Sequence, residues 1–402
     1  NQDIGSWDVS NVTDLYGMLD NTAINPTNYD NLLIGWSGLT LQNGVNFGVN
    51  GLVYSDTPCL SYSARTYIQS TYGWIFNGDS PGDCISILTT TNTGYILEPQ
   101  TLYNQDQIIQ SDVFYGYQYY MTTGDTYVFD SGGTYVTNVG TPIESQVFDT
   151  DLFKYYGSYN NLTTGTTRIY DVDLNLLSEI ILTGCPNPHS STYNSGVGKV
   201  GIIDSNSDKI AIIDSLTETL DGYIDLPVGG GYEAIITSDN SNNTIYVLSA
   251  LNPASGGTIY VVDPVTLTTG TTIPFTADTP STKVTSLIFN QTNGYLYILQ
   301  NNGKLRWVDT NTNTLYTGIT LSYSGIYTSM TYDVNKDYLY ISNFQSPNTQ
   351  NIIVFRCSTN TEFNIVNSVQ INSGDGVINY NPTTSLLWYA SIGSDELISL
   401  ST

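Results

Sequence analysis

A short apolar run that ends in aspartate and then breaks into a polar turn recurs along most of this chain. It appears as TYVFD ending at Asp130, RIYDVD with Asp171, IAIID ending at Asp214, IYVVD ending at Asp263 and LRWVD ending at Asp309. The aspartates lie 41, 43, 49 and 46 residues apart. A sixth copy, IIVFR, puts Arg356 at the matching place 47 residues later, and a degenerate seventh, ELISLS, lies near Ser401. Runs of this length, rich in β-branched and aromatic residues and bounded by turn formers, read as strands. Each has a companion before it (TIYVLS around Tyr246, GYLYIL around Tyr297, DYLYIS around Tyr340, LLWYAS around Trp388) and one after it (GYIDLP, GTTIPF, YTGITL). Adding EAIITS, VTSLIF or YTSMTY gives four strands per unit. A period in the forties built of four short strands is the pattern of propeller blades. The expected fold is therefore mainly β.

Seven copies predict a seven-bladed β-propeller. The last unit supplies GVINYN, LLWYAS and ELISLS and then stops at Thr402, one strand short. The run CISILTT, residues 84–90, is expected to supply that strand and close the ring, because an open ring leaves an unpaired edge. One ambiguity stands. YILEP with Glu98 also resembles the repeated run but lies only 32 residues before Asp130, so six or eight blades stay open. The expected division is residues 1–83, a small α/β cap, and residues 84–402, the propeller. In the first part, Ser63 to Trp74 reads as a helix with Ala64, Tyr67 and Ile68 as its apolar stripe. Ser61 or Ser63 would cap it and Gly73 would stop it. In the second part, Asn293-Gly294, Asn302-Gly303 and Gly256-Gly257 are hairpin signals.

Residues Asn1 to Leu19, NQDIGSWDVSNVTDLYGML, resemble one unit of the BspA-like, leucine-rich-type repeats of surface proteins. Gly5, Leu15, Tyr16 and Leu19 depart from that pattern. Leu32 to Trp36, Asn43 to Val45 and Ala64 to Trp74 are similar to the terminal cap of such arrays. The resemblance covers about a fifth of the chain. It implies a leucine-rich-repeat-like cap, further repeats upstream, and a role in surface attachment or protein–protein recognition; a mere spacer is the plainer alternative. One unit cannot bury its own face. The chain opens on Asn1 in the middle of a pattern and reads as a processed chain or a fragment. Cys59 and Cys84 resemble a cysteine pair that often follows these caps. They bracket a compact segment and read either as a disulfide or, with Cys185 and Cys357, as free buried thiols. The blade units resemble YVTN-type or NHL-like propellers, most closely from Val200 to Ser358. Such families serve mostly in binding and scaffolding, and the fold alone does not choose among functions.

Composition narrows the chemistry. With 36 acidic against 10 basic residues and a net charge of -26, the chain has no basic patch to neutralise phosphates, which argues against nucleic acid and against an anionic membrane surface. No apolar stretch reaches the length of a membrane span. His189 is the only histidine and lies in CPNPHSSTYNSG, read as a loop, without a GxSxG setting for a catalytic triad. GVGKVG near Gly196 lacks the helix that cradles phosphate. The oxygen-rich run DSNSDK offers Asp204, Asn206 and Asp208 as calcium ligands, with a polar hairpin turn as the plainer alternative. DTDLFK from Asp149 and the turn with Asp333, Asn335 and Asp337 are similar. The repeated aspartates Asp130, Asp171, Asp214, Asp263 and Asp309 stand in equivalent places rather than converging, so they read as Asx-turn acceptors. The 33 tyrosines, Trp307 and Trp388 read mainly as packing between blades, with sugar stacking as the alternative. The loops 186–196, 252–257 and 346–351 are the first places to look for a ligand.

These readings converge on an extracellular, cell-surface or virion module for adhesion or recognition, without catalysis. Its partners would be other surface or virion proteins or host glycans, and Ca2+ the one cofactor to consider. A purely architectural subunit of a filament, appendage or capsid is the second expectation. A carbohydrate-active propeller enzyme, with an acidic pair facing the central pocket, is the third.

Overall fold

The computed structural model describes residues 2–55, 60–82, 90–96, 109–111, 118–121, 126–131, 134–139, 144–161, 163–204, 207–226, 234–249, 257–275, 282–322, 324–345, 349–369, 376–391 and 396–401. The chain forms two compact units, Asn1–Ile87 and Leu88–Thr402.

The first unit is a short parallel stack. Strand Asn46–Gly48 pairs in parallel with Ile75–Asn77, and Val53–Ser55 with Ser80–Gly82. Leu15 adds a third layer: its N–H donates to the Asn46 carbonyl at 3.0 Å and its carbonyl accepts from Gly48 at 3.1 Å. The opening residues otherwise hold turns. Helices Pro26–Ser37 and Leu60–Tyr72 return the chain between layers. The first was not foreseen, though its signal is local: Asn25 caps Asn28 N–H at 2.9 Å and Pro26 starts the helix, where a missing N–H costs nothing. The second starts ahead of Ser61, whose hydroxyl donates to the Ser55 carbonyl (3.0 Å) instead of capping. Gly73, at φ +66°, ends it as expected. Trp36, Phe47, Trp74, Leu33 and Ile68 form the core, whereas Tyr67 of the expected stripe is exposed.

The second unit is mainly β and β-propeller-like. Among the described residues it holds seven four-stranded antiparallel sheets. Six are formed by consecutive strands, and their first strands are Ile109–Ser111, Ser145–Asp149, Pro188–Asn194, Ala234–Asp239, Val284–Asn290 and Ile326–Asp333. The last sheet joins Gly376–Asn381, Leu386–Ser391 and Glu396–Ser401 to a strand from the start of the unit. That strand is Thr90–Ile96, pairing Thr90 with Leu400 and Ile96 with Glu396. The closing strand was expected at 84–90; Thr90 belongs to the observed strand, and residues 84–89 lie outside the described residues. The first strands touch one another in cyclic order, the last sheet meeting the first.

Apolar side chains from adjacent sheets interlock. Ile210 and Ile212 of one sheet pack on Ile236, Ile245 and Val247 of the next, and Leu305 packs on Leu339 and Ile353 at a later interface. Both faces of a sheet are thus covered, which is why IAIID and IYVVD are continuous apolar runs rather than alternating ones. Trp388, Tyr155, Tyr156, Tyr260, Tyr297 and Tyr327 are fully buried in these interfaces, while Trp307 lies half-buried against Tyr316 and Tyr297.

Candidate functional site

The expected turn role of the repeated aspartates has a definite geometry. Asp171 Oδ1 accepts from Asp173 and Asn175 N–H, both at 2.9 Å. Asp214 accepts from Thr217 at 2.8 Å, Asp263 from Val265 at 2.8 Å and Thr266 at 3.1 Å, and Asp309 from Asn311 at 2.9 Å. Asp130 accepts from Thr134 N–H at 2.8 Å. These residues close the outer hairpins, one per sheet, and do not converge on a common centre. The turns after Asp214, Asp263 and Asp309 end on Glu218, Leu267 and Asn313, each with φ between 54° and 56°.

A second series was not legible in the sequence. Asp149, Asn194, Asp239, Asn290, Asp333 and Asn381 end the first strands of six sheets, and all are fully buried. Asp239 Oδ1 accepts from Ser241 (3.0 Å) and Asn242 (3.1 Å); Asp333 and Asn381 accept in the same way from the second and third residues on. Four residues after each comes a positive φ, at Phe153, Gly198, Asn243, Gly294, Asp337 and Ser385. The motif Asx-x-x-x-αL would have found the series, but it mixes Asp with Asn and follows strands of varied composition.

The calcium candidates belong to the same kind of local bonding. Asp204 is buried, and Oδ2 accepts from Asn187 N–H at 2.6 Å while Oδ1 accepts from Ser207 N–H. Asp208 adopts φ +52°. Asn206 lies outside the described residues. Asp149 and Asp333, the leading residues of the two similar runs, are turn acceptors too. Among the described residues no three His, Cys, Asp or Glu side chains cluster as a metal site would require. Cys59 and Cys84 lie outside the described residues, as do Glu98, Gly256 and most of 252–257 and 346–351. Cys185 and Cys357 are free and buried, and burial holds the Cys357 thiol up at about 12.

The loop expected at 186–196 is largely a strand. Pro188–Asn194, which contains His189, is the first strand of its sheet. It forms one wall of a cavity of about 300 Å³ bounded by the first strands of six sheets. Ser190, Ser191, Thr192, Thr237, Ser286 and Thr331 contribute polar lining, with Ile235, Leu287 and Met330 between them. Residues 190–193, 235–237 and 286–288 line it consecutively. In a strand, side chains alternate between faces, so consecutive lining means that the strand edge, peptide groups included, faces inward. Each of these strands is paired on one side only. Side chains of neighbouring sheets meet part of the free edge: Ser329 and Thr331 hydroxyls accept from Ile378 and Tyr380 N–H at 2.9 and 3.0 Å, and Ser238 donates to the Tyr193 carbonyl at 2.7 Å. Ser190 is 1 % exposed, and among the described residues its hydroxyl has no partner. Among the described lining residues none carries a charge.

No protein-family model matches this sequence, and no curated protein matches it. Solved structures do. A chain of Kuenenia stuttgartiensis hydrazine synthase superposes with a TM-score of 0.60 at 12% identity, covering 77% of this chain and 99% of that one. A chain of a mitotic checkpoint complex superposes with a TM-score of 0.60 at 12% identity, covering 82% of this chain and 98% of that one. At such identity the likeness defines the fold class, a β-propeller-like architecture, and nothing of the activity.

Proposed function

We propose that this chain is a non-catalytic recognition module of an extracellular, cell or virion surface: a seven-bladed β-propeller preceded by a small leucine-rich-repeat-like cap. Seven sheets in cyclic contact, with Thr90–Ile96 completing the last, support the blade count. The layered parallel pairing of residues 15, 46–55 and 75–82 supports the cap and its kinship with BspA-like repeats. The observation that carries the functional reading is the lining of the axial cavity: hydroxyls, the carboxamides of Asn240 and Asn379, aliphatic and aromatic groups and strand edges, with no carboxylate or imidazole among its described residues. Such a wall offers hydrogen bonds but no carboxyl or imidazole to serve as general acid or base. It supports binding over the carbohydrate-active enzyme, which needs an acidic pair there. Binding of the purified chain to host cells, arrayed glycans and surface or virion proteins tests the reading. Hydrolysis of a polymer without stable binding overturns it.

The architectural reading has one observation of its own. Strand Leu176–Leu182 is the outer edge of its sheet and exposes Leu176, Leu177 and Ile181 at 53%, 45% and 48%. Apolar edges of this kind invite strand pairing between molecules. Sedimentation of the wild type against Leu177→Lys separates the two: concentration-dependent assembly that disappears in the variant favours the architectural role. Calcium, if bound near Asp204, Asn206 and Asp208, would raise the melting temperature, and an unchanged melt with chelator removes it.

A further inference from the structure

We infer that the axial cavity binds a neutral, polyhydroxylated group of about monosaccharide size, an inference that rests on the recognition reading and names its ligand class. Three observations lead there. The cavity, about 300 Å³, lies at the small end of ligand pockets, which span roughly 300–1,000 Å³. That size takes one sugar ring rather than a peptide or an oligosaccharide. The lining is polar without charge, with Ser190, Ser191, Thr192, Thr237, Ser286 and Thr331 beside inward-facing strand edges. An ion entering such a site would lose its hydration with no opposite charge to receive it, which costs several kcal/mol. A compound that both donates and accepts neutral hydrogen bonds matches hydroxyls and peptide groups, which do the same. Finally, the hydroxyl of the cavity-lining Ser190 is buried and has no partner among the described residues. Buried polar groups are nearly always bonded, so this one gains a partner when a ligand hydroxyl draws it toward the cavity.

Aliphatic neighbours give the ring carbons their contact. Ile235, Leu287 and Met330 alternate with the hydroxyls around the wall, and C–H faces of a sugar ring gain dispersion energy against such groups. The chain's net charge of -26 further disfavours anionic sugars through the field of the whole molecule.

The test uses the full chain with free glucose, galactose, mannose and N-acetylglucosamine as probes, observed by saturation-transfer NMR. N-acetylneuraminic acid and glucosamine serve as charged counterparts. At least one neutral sugar is expected to bind with millimolar affinity, and the charged pair is expected to bind more weakly. Ser190→Ala, which removes one oxygen and little volume, is expected to weaken binding about 3- to 10-fold, the loss of one neutral hydrogen bond. Ser286→Leu, which fills the cavity, is expected to abolish it. Should the second variant misfold, the first decides alone. The same sugars displayed as glycan termini on an array separate a free metabolite from a surface glycan as the source. Absence of binding by every neutral sugar, or affinity unchanged in Ser190→Ala, overturns the inference. Retained adhesion of Ser286→Leu to cells or proteins overturns the cavity as the site while leaving the recognition reading standing.

Discussion

At the scale of single residues, the hairpin tips carry most of what is distinctive. Asp214 accepts from Lys199 Nζ at 2.7 Å and from Thr217 N–H at 2.8 Å. The lysine first, then the amide, draw its carboxyl down to about 2. Asp263, held by Thr266 N–H, is also lowered. A group with a lowered folded-state value stabilises above its unfolded value, near 4, and loses that contribution as pH falls through the folded value. The melting temperature is therefore expected to drop between about pH 4 and pH 2, and Asp214→Asn should flatten part of that drop. Calorimetry across this range reads it; an identical slope in the variant contradicts the role of Asp214. The tip of a neighbouring hairpin tests backbone conformation instead. Asn313 is exposed with φ +54°, in the left-handed region that a β-branched residue resists. Asn313→Val is expected to cost ~1–2 kcal/mol, and Asn313→Gly to be close to neutral. Denaturant midpoints compare the two, and equal loss in both would point to side-chain contacts rather than φ.

At the scale of elements, a buried ion pair ties the second helix of the first unit to the end of its stack. Arg65 donates through Nε and Nη2 to the two oxygens of Asp79, both at 2.8 Å, and Tyr29 donates to Asp79 at 2.9 Å. The guanidinium also lies 4.7 Å from the Tyr54 ring centre and 4.5 Å from that of Phe76. The Asp79 side chain is only 1% exposed. Asp79→Ala would strand a guanidinium and a phenol, so a loss of ~3–5 kcal/mol is expected. Arg65→Lys should also weaken the unit, since an ammonium lacks the planar fork and the stacking surface. Chemical denaturation of the first unit, followed by the fluorescence of Trp36 and Trp74, measures both. What the sequence reveals at this scale follows the physics of burial. Strands covered on both faces are continuous apolar runs and stand out, as IYVVD does. Among first strands at the axial cavity EAIITS, VTSLIF and YTSMTY were legible, but PHSSTYN was not: it opens on Pro188, is rich in small hydroxyls, and so reads as loop. Proline is tolerated there because it is the first residue of an edge strand. One wall of the candidate site was thus hidden by the property that makes it a site, its need for polar groups along an inner edge.

At the scale of the whole second unit, ring closure couples the two ends of its chain. Thr90–Ile96 contributes the fourth strand of a sheet whose other three are the last in the sequence. The sequence signalled that a strand was missing and pointed to 84–90; the described strand runs from Thr90 to Ile96. TTNTGYI carries little apolar pattern of its own and owes its place to pairing with Glu396–Ser401, a long-range contact that local propensity does not encode. The closing contact spans some three hundred residues, so loop-closure entropy opposes it until the intervening sheets have formed. It should then form late in folding and be the first part of the ring to open on unfolding. A chain beginning at residue 97 would expose the edge of Glu396–Ser401, an unpaired row of N–H and C=O groups. Its melting temperature is expected to fall by ~5 °C or more, with concentration-dependent association through the bared edge. A synthetic peptide of residues 90–96 added in trans should restore part of the loss by mass action. Calorimetry with and without the peptide checks this. An unshifted melt in the shortened chain would mean that the last sheet is held by its neighbours alone, and that closure by the early strand contributes register rather than stability.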